Sequence, residues 1–288
     1  MTAPQNVVTM SQRAARALIG WMSPEAAALT MVGRQVNVAP MPEQVERARR
    51  ARESVATRPV GVQQTGIIKP FPVQLSNHEA KLRGHSAAGP YFAEGWQVGV
   101  VDLRCVCSFQ PLVFTDNADR RTEDVDPTDL RSVAQVSLPL PEATPLPVQF
   151  DPLRNVYMFS STNPNLRIIG NFNAEVAPGV NGFGFVVGVS PSFMQVAHFH
   201  GRYFLRDGYH RAYSLLRRGI HIVPILVREF GPTEEIGVPG GMLTQGAYLG
   251  DRPPTLGDFL DEEVSANVTA PAAHKLVVIQ GIELAPIG

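Results

Sequence analysis

The sequence predicts a mixed α/β (α+β) fold, and three observations carry that expectation. The stretch 201–227, GRYFLRDGYHRAYSLLRRGIHIVPILV, changes period twice. Arg202 to Arg206 is aromatic-rich and strand-like, Tyr209, Ala212, Tyr213 and Leu216 recur at i, i+3, i+4 and i+7, and His221 to Val227 is a β-branched run. Short alternating segments crowd residues 155–206, while residues 1–57 hold three helix-like runs.

Taken in order, Ser11 is placed to cap a first helix through Ile19, and Ser23-Pro24-Glu25 opens a second with proline at its first position. Pro42 to Ala56 reads as a third, charged helix with a thin stripe of Val45, Ala48 and Val55. Pro59, Gly61, Gly66, Pro70 and Pro72 mark Arg58 to Val73 as a linker or lead-in. Gln97 to Leu103 is a strand. The acidic run from Thr115 to Asp129 is either a solvated loop or an oxygen-rich place for Mg²⁺. Five prolines between Ser137 and Pro152 indicate an extended connection. Asn155 to Ser160 and Leu166 to Asn171 follow as two strands joined by a turn sequence at 161–165, and Gly182 to Val189 is a glycine-rich strand.

Gln195 to His200 faces Arg202 to Arg206 as a hairpin. Asp207-Gly208 then breaks the second strand, Asp207 being suited to cap the helix that starts at Tyr209. Gly219 stops that helix after Arg217 and Arg218, and the strands on either side of it are expected to pair in parallel. Five glycines in Gly237 to Gly250 suggest a loop that closes over a site. Thr255 caps a short helix through Glu263 with Leu256, Phe259 and Leu260 inward, and Lys275 to Leu284 is a last strand. The expected boundaries are 1–57 for an N-terminal helical segment, 58–90 for a lead-in, and 91–288 for one domain with a β-rich insertion at about 137–194.

Charge and composition narrow the function. With 25 basic and 26 acidic residues among 288, the net charge of −1 gives no general support to nucleic-acid binding. Two cysteines make no disulfide framework, and Cys105 and Cys107 read as reduced thiols in a cytoplasmic chain without a membrane partner.

The chemistry gathers at Asp207, Gly208, Tyr209, His210 and Arg211. A first helical turn presents backbone N–H groups and the positive dipole end, to which a guanidinium and an imidazole add donors for phosphate oxygens. Asp207 would either cap the helix or reach a metal carried by a phosphate. The plain alternative is a decorated helix start. A weaker candidate is Glu229, a guessed general base. His198 and His200 form an H-x-H pair that is either part of a metal cluster with Asp207 or His210, or the polar face of a hairpin. No metal site is assigned.

Asp207-Gly208-Tyr209-His210-Arg211, with Ala212, Leu215-Leu216, Gly219 and Val223-Pro224, resembles the ParB/sulfiredoxin superfamily over roughly 30 residues. The resemblance implies a ParB/sulfiredoxin-like core carrying a β-rich insertion and N-terminal helices, with nucleotide phosphates at the turn. His210 and Arg211 would be the phosphate ligands, Gly208 would allow close backbone approach, and Gln110, in the polar segment after the opening strand, would be a weaker candidate near the nucleotide or else only fill a loop. The ligand implied is a nucleoside triphosphate, ATP or CTP, with Mg²⁺ left open, and hydrolysis or phosphoryl transfer is the reaction class considered. Tyr209 stands where sulfiredoxins carry their catalytic cysteine, which argues against sulfinic acid reduction. No helix-turn-helix of the partition type follows the turn. A ParB-like nuclease and a non-catalytic binding or scaffold module with an inert site are the alternatives.

Overall fold

A computed structural model of the chain describes residues 12–33, 39–61, 66–140, 146–161, 166–189, 192–231, 236–238, 240–271 and 275–280. The fold is α+β, and the chain divides into two units, residues 1–140 with 193–272 and residues 141–192 with 273–288. Residues 1–57, expected as an N-terminal helical segment, belong to the larger unit in this division.

In chain order the larger unit begins with β1 (Gln12–Ala17), α1 (Pro24–Val32), α2 (Pro42–Thr57), β2 (Ile68–Lys69), α3 (Ser76–Gly84) and α4 (Gly89–Ala93). It continues with β3 (Gln97–Asp102), β4 (Leu112–Phe114), α5 (Thr115–Thr122) and α6 (Leu130–Ser137). The smaller unit then contributes β5 (Val148–Asp151), β6 (Val156–Ser161), β7 (Leu166–Ala177) and β8 (Val180–Val189). The chain returns through β9 (Gln195–Phe199), β10 (Arg202–Asp207), α7 (Tyr209–Arg217), β11 (Ile222–Glu229), α8 (Gln245–Tyr248) and β12 (Ala266–Pro271), and β13 (Lys275–Gln280) belongs to the smaller unit.

Five strands in the order β10-β9-β11-β3-β2 make the main sheet of the larger unit. The β9–β10 hairpin turns through His200 and Gly201, both at positive φ (48° and 69°), the backbone signature of a two-residue turn whose twist matches its strands. This hairpin corrects the expected pairing of β10 with β11. β9 lies between them, parallel to β11 and antiparallel to β10, so the strands flanking α7 neither touch nor run in parallel. α7 ends as its sequence indicates: Gly219 is left-handed at φ 75°, and the N–H groups of Gly219 and Ile220 donate to Leu216 and Leu215. Phe193, Phe204, Leu205, Leu215, Val223, Ile225 and Leu226 are sealed in the core around this sheet. Each such side chain contributes about 1.5–3 kcal/mol by leaving water.

A second, three-stranded sheet, β12-β1-β4, overturns the helix expected from Ser11 to Ile19. Alanine and arginine are good helix formers, but Ala15, Ala17 and Ile19 are buried with Ala27, Ala48, Ala51, Ala266 and Val268 in a small-residue core. Local propensity of a few tenths of a kcal/mol per residue yields to that pairing. Arg16, also buried, donates to the Phe259 carbonyl at 2.8 Å and pairs with Glu262 at 2.7 Å. The second and third helices form as expected; Ser23 caps α1 by accepting from the Ala26 N–H, and Glu46 on α2 bridges Arg49 and Arg50. The lead-in is anchored: Arg58 pairs with Asp258 and Asp261, both at 2.6 Å, and β2 adds to β3. After Thr255 a short 3-10 turn, Leu256–Leu260, replaces the longer helix; Leu256 and Phe259 are buried, but Leu260 faces outward.

In the smaller unit β6 pairs with β5 and β13, whereas β7 and β8 form a separate hairpin, so the two strands expected at 155–171 enter different sheets. The turn between them, 162–165, and the end of the last strand, 281–284, lie outside the described residues.

Candidate functional site

The N-cap position of α7 is Gly208, at φ 101°, and not Asp207 as expected. Asp207 closes β10, and its carboxylate lies 3.9 Å from Arg211 Nη2. A Cβ on Gly208 would come 2.5 Å from Met194 Cγ, which requires glycine here for packing as well as for the dihedral.

The next three residues divide the expected ligand set. Tyr209 is buried; its hydroxyl donates to the Leu205 carbonyl and accepts from the Phe109 N–H, and burial pushes its phenol well above the ordinary range. It is a core residue and does not offer its ring to a base. His210 is half-buried with its ring parallel to that of Phe114, centroids 5.9 Å apart. Arg211 is only 4% exposed, and its Nη1 donates to the Val136 carbonyl at 2.9 Å, in the last turn of α6. A cation at a helix C-terminus satisfies a carbonyl that the helix leaves over and opposes the negative dipole end.

Other polar side chains of α7 and its C-cap, Arg218, work in the same direction. Arg217 pairs with Asp119 on α5 at 2.8 Å, Arg218 donates to the carbonyls of Thr122 and Val125, and Ser214 shares a hydrogen bond with Thr122. The acidic run is likewise engaged: Asp116 holds Arg13, Asp126 accepts from Thr128, and Asp129 caps α6.

The weaker candidates do not converge on the turn. Gln110 follows Phe109, the residue that Tyr209 touches, but its amide donates to the Leu112 carbonyl. His198 and Glu229 are register partners on β9 and β11, with 3.8 Å between Nδ1 and Oε1, and His198 stacks on Tyr203. β10 runs from Arg202, opposite Phe199, to Asp207, opposite Gln195, so the H-x-H pair and the turn occupy opposite ends of one hairpin. Five residues at about 3.3 Å each hold them apart, and the cluster of His198 and His200 with Asp207 or His210 does not form. Among the described residues no group of three or more His, Cys, Asp or Glu side chains is placed to hold a metal ion. Cys107 is buried and Cys105 half-buried, with its thiol pushed up by burial.

Comparison with protein-family models, curated proteins and solved structures gives no match.

A wide cleft of about 1150 Å³ lies elsewhere in the larger unit, between α1, α2 and residues 241–252. Trp21, Met22, Leu29 and Leu243 give it an apolar lining, and Arg52 and Arg252 add positive charge. The Trp21 indole donates to the Arg252 carbonyl at 2.7 Å, joining one wall to the other. The glycine-rich loop expected to close over a site does line this cleft. Sequence reasoning counts Arg52 with the other charges of the Pro42–Ala56 helix, which either bind acidic partners or form a solvated face, and does not single it out, although a signal existed. Arg49 and Arg50 have Glu46 or Glu53 at helical spacing, while Arg52 has only Ala48, Arg49, Val55 and Ala56 there and no ion-pair partner among the described residues.

Proposed function

We propose that the chain is a non-catalytic binding module on a ParB/sulfiredoxin-like core, in which the Asp207–Arg211 turn serves as scaffold. The observation that supports this most is Arg211, buried and committed to the Val136 carbonyl, so that the group best suited to grip a phosphate holds α6 against α7 instead. The ligand seat of the module is the cleft beside α1 and α2, whose apolar lining and Arg52, without an ion-pair partner among the described residues, suit an anion with an apolar body. A melting-temperature screen of nucleoside triphosphates with and without Mg²⁺ tests the reading, because a ligand of the folded state raises its stability by mass action. No nucleotide should raise the melting temperature. Titration with a medium-chain carboxylate should give heat that Arg52→Glu diminishes by about 10-fold in affinity, as loss of one charge-assisted contact implies.

The second reading is nucleotide binding at the turn. It is favoured by the left-handed Gly208 at the helix start and the half-exposed His210. A nucleotide-dependent rise in melting temperature that His210→Ala abolishes would replace the first reading with this one and reopen hydrolysis or phosphoryl transfer.

A further inference from the structure

The smaller unit carries a feature that neither reading uses. β7 and β8, 12 and 10 residues long, form a sheet of two strands among the described residues. Such a hairpin is at best marginal alone in water, and three strands or a packed face are needed for stability. Eight of its large apolar side chains are 43–65% exposed, among them Ile168, Phe172, Val176, Phe183, Phe185 and Val186. The register puts Phe183 opposite Asn173 and Phe185 opposite Asn171 on one face, with Phe172 and Val186 on the other. Both faces are therefore apolar, as in a strand that is covered on both sides.

The glycines show that these side chains form an ordered surface. Gly184 is the cross-strand partner of Phe172, whose ring occupies the space a Cβ would need, and a Cβ on Gly182 would meet Val176 at 2.7 Å. Large side chains thus lie flat across the glycines of the neighbouring strand, a pairing that fixes register.

We infer that this hairpin is the interface through which copies of the chain associate. Area is the first reason. Half-exposed side chains of this size leave roughly 80–100 Å² each, on the order of 700–800 Å² over the two faces together, so an association that covers both faces reaches the share of about 800 Å² per partner in a standard interface. Monomers rarely expose apolar patches beyond a few hundred Å². Charge is the second. Arg167 and Glu175 are the only charged residues from Leu166 to Ala177 and Val180 to Val189, one of each sign, so the surface has no net charge with which to select a nucleic acid or an anionic membrane. An almost purely apolar and amide surface is the composition of a permanent contact between identical subunits.

Light scattering or sedimentation of the full chain tests the inference. At about 10 µM, above the weak end of affinities for interfaces of this area, the mass should be at least twice 31.3 kDa. Phe172→Asp combined with Phe183→Asp places a charge on each face and should return the chain to monomer mass. Leu153→Asp, at a fully exposed position outside the hairpin, should leave association intact. Hydrogen exchange of the unmodified chain guards against a variant that merely misfolds: amides of β7 and β8 should lose protection on dilution. Monomer mass at every concentration, an unchanged mass for the double variant, or protection independent of concentration would overturn the inference. So would a monomer that floats with phosphatidylcholine vesicles, which would assign the patch to a lipid surface.

Discussion

Arg211 shows how a residue with the right chemistry for a ligand becomes part of the frame. Its position lies off the stripe of Tyr209, Ala212, Tyr213 and Leu216, so helical periodicity places it in solvent and suggests that Arg211→Ala leaves the fold intact. Instead α6 covers that side, and the guanidinium is buried against the Val136 carbonyl. Arg211→Ala should therefore lower stability by about 1–3 kcal/mol, the cost of an unsatisfied buried group, read as a lower urea midpoint with an unchanged slope. Tyr209→Phe should cost a similar amount at neutral pH, because the Leu205 carbonyl and the Phe109 N–H lose their shared partner. The two forms should also differ in alkali. Burial raises the folded phenol above the unfolded value of about 10, so the stability that its neutral form contributes is fully present below about pH 10 and is lost as pH rises beyond it. The difference in unfolding free energy between wild type and Tyr209→Phe should shrink above about pH 10; a constant difference would show that the phenol is not the group responsible.

At the scale of elements, the unit β10–α7–β11 was legible because its boundaries are local. Asp207-Gly208 and Gly219 are turn chemistry, and the periods on either side differ. The order of its strands was not legible, since it depends on β9, a hairpin partner that enters between β10 and β11. β1 was misread for a related reason: its alanines fit a helix, and only β12 and β4, far along the chain, make them a strand. β12 itself does alternate, with Ala266 and Val268 buried and Asn267 and Thr269 exposed, but the run is only six residues long and its inward side chains are small. The candidate site was legible as a set of residue types around Gly208, but not as an environment, because what packs on α7 comes from α5 and α6. Gly208→Ala checks how firmly that junction is set. A side chain at φ 101° is strained by about 1–3 kcal/mol, and the new methyl would also meet Met194. The variant should melt several degrees lower, whereas Gly219→Asn, at a left-handed position with open space around it, should be far milder.

For the whole molecule, division into two units makes a claim about independence. The smaller unit is inserted between α6 and β9, and its second piece is the C-terminal segment 273–288. The ends of the insertion are already joined: the Met194 N–H donates to the Ser137 carbonyl at 2.7 Å, and both residues belong to the larger unit. A short glycine-rich loop in place of residues 141–192, with the chain ended at Ala272, therefore needs to span little distance, and closing a short loop costs little entropy. The remaining residues keep both β-sheets of the larger unit, β10-β9-β11-β3-β2 and β12-β1-β4, and the cluster around Phe193, Phe204 and Leu215. This shortened chain should unfold in one cooperative transition by circular dichroism, with a near-ultraviolet signal from Trp21 and Trp96, and it should run as a monomer because β7 and β8 are gone. Loss of that transition would mean that the larger unit depends on the smaller for its fold, and a shortened chain that still self-associates would place the contact between copies on the larger unit.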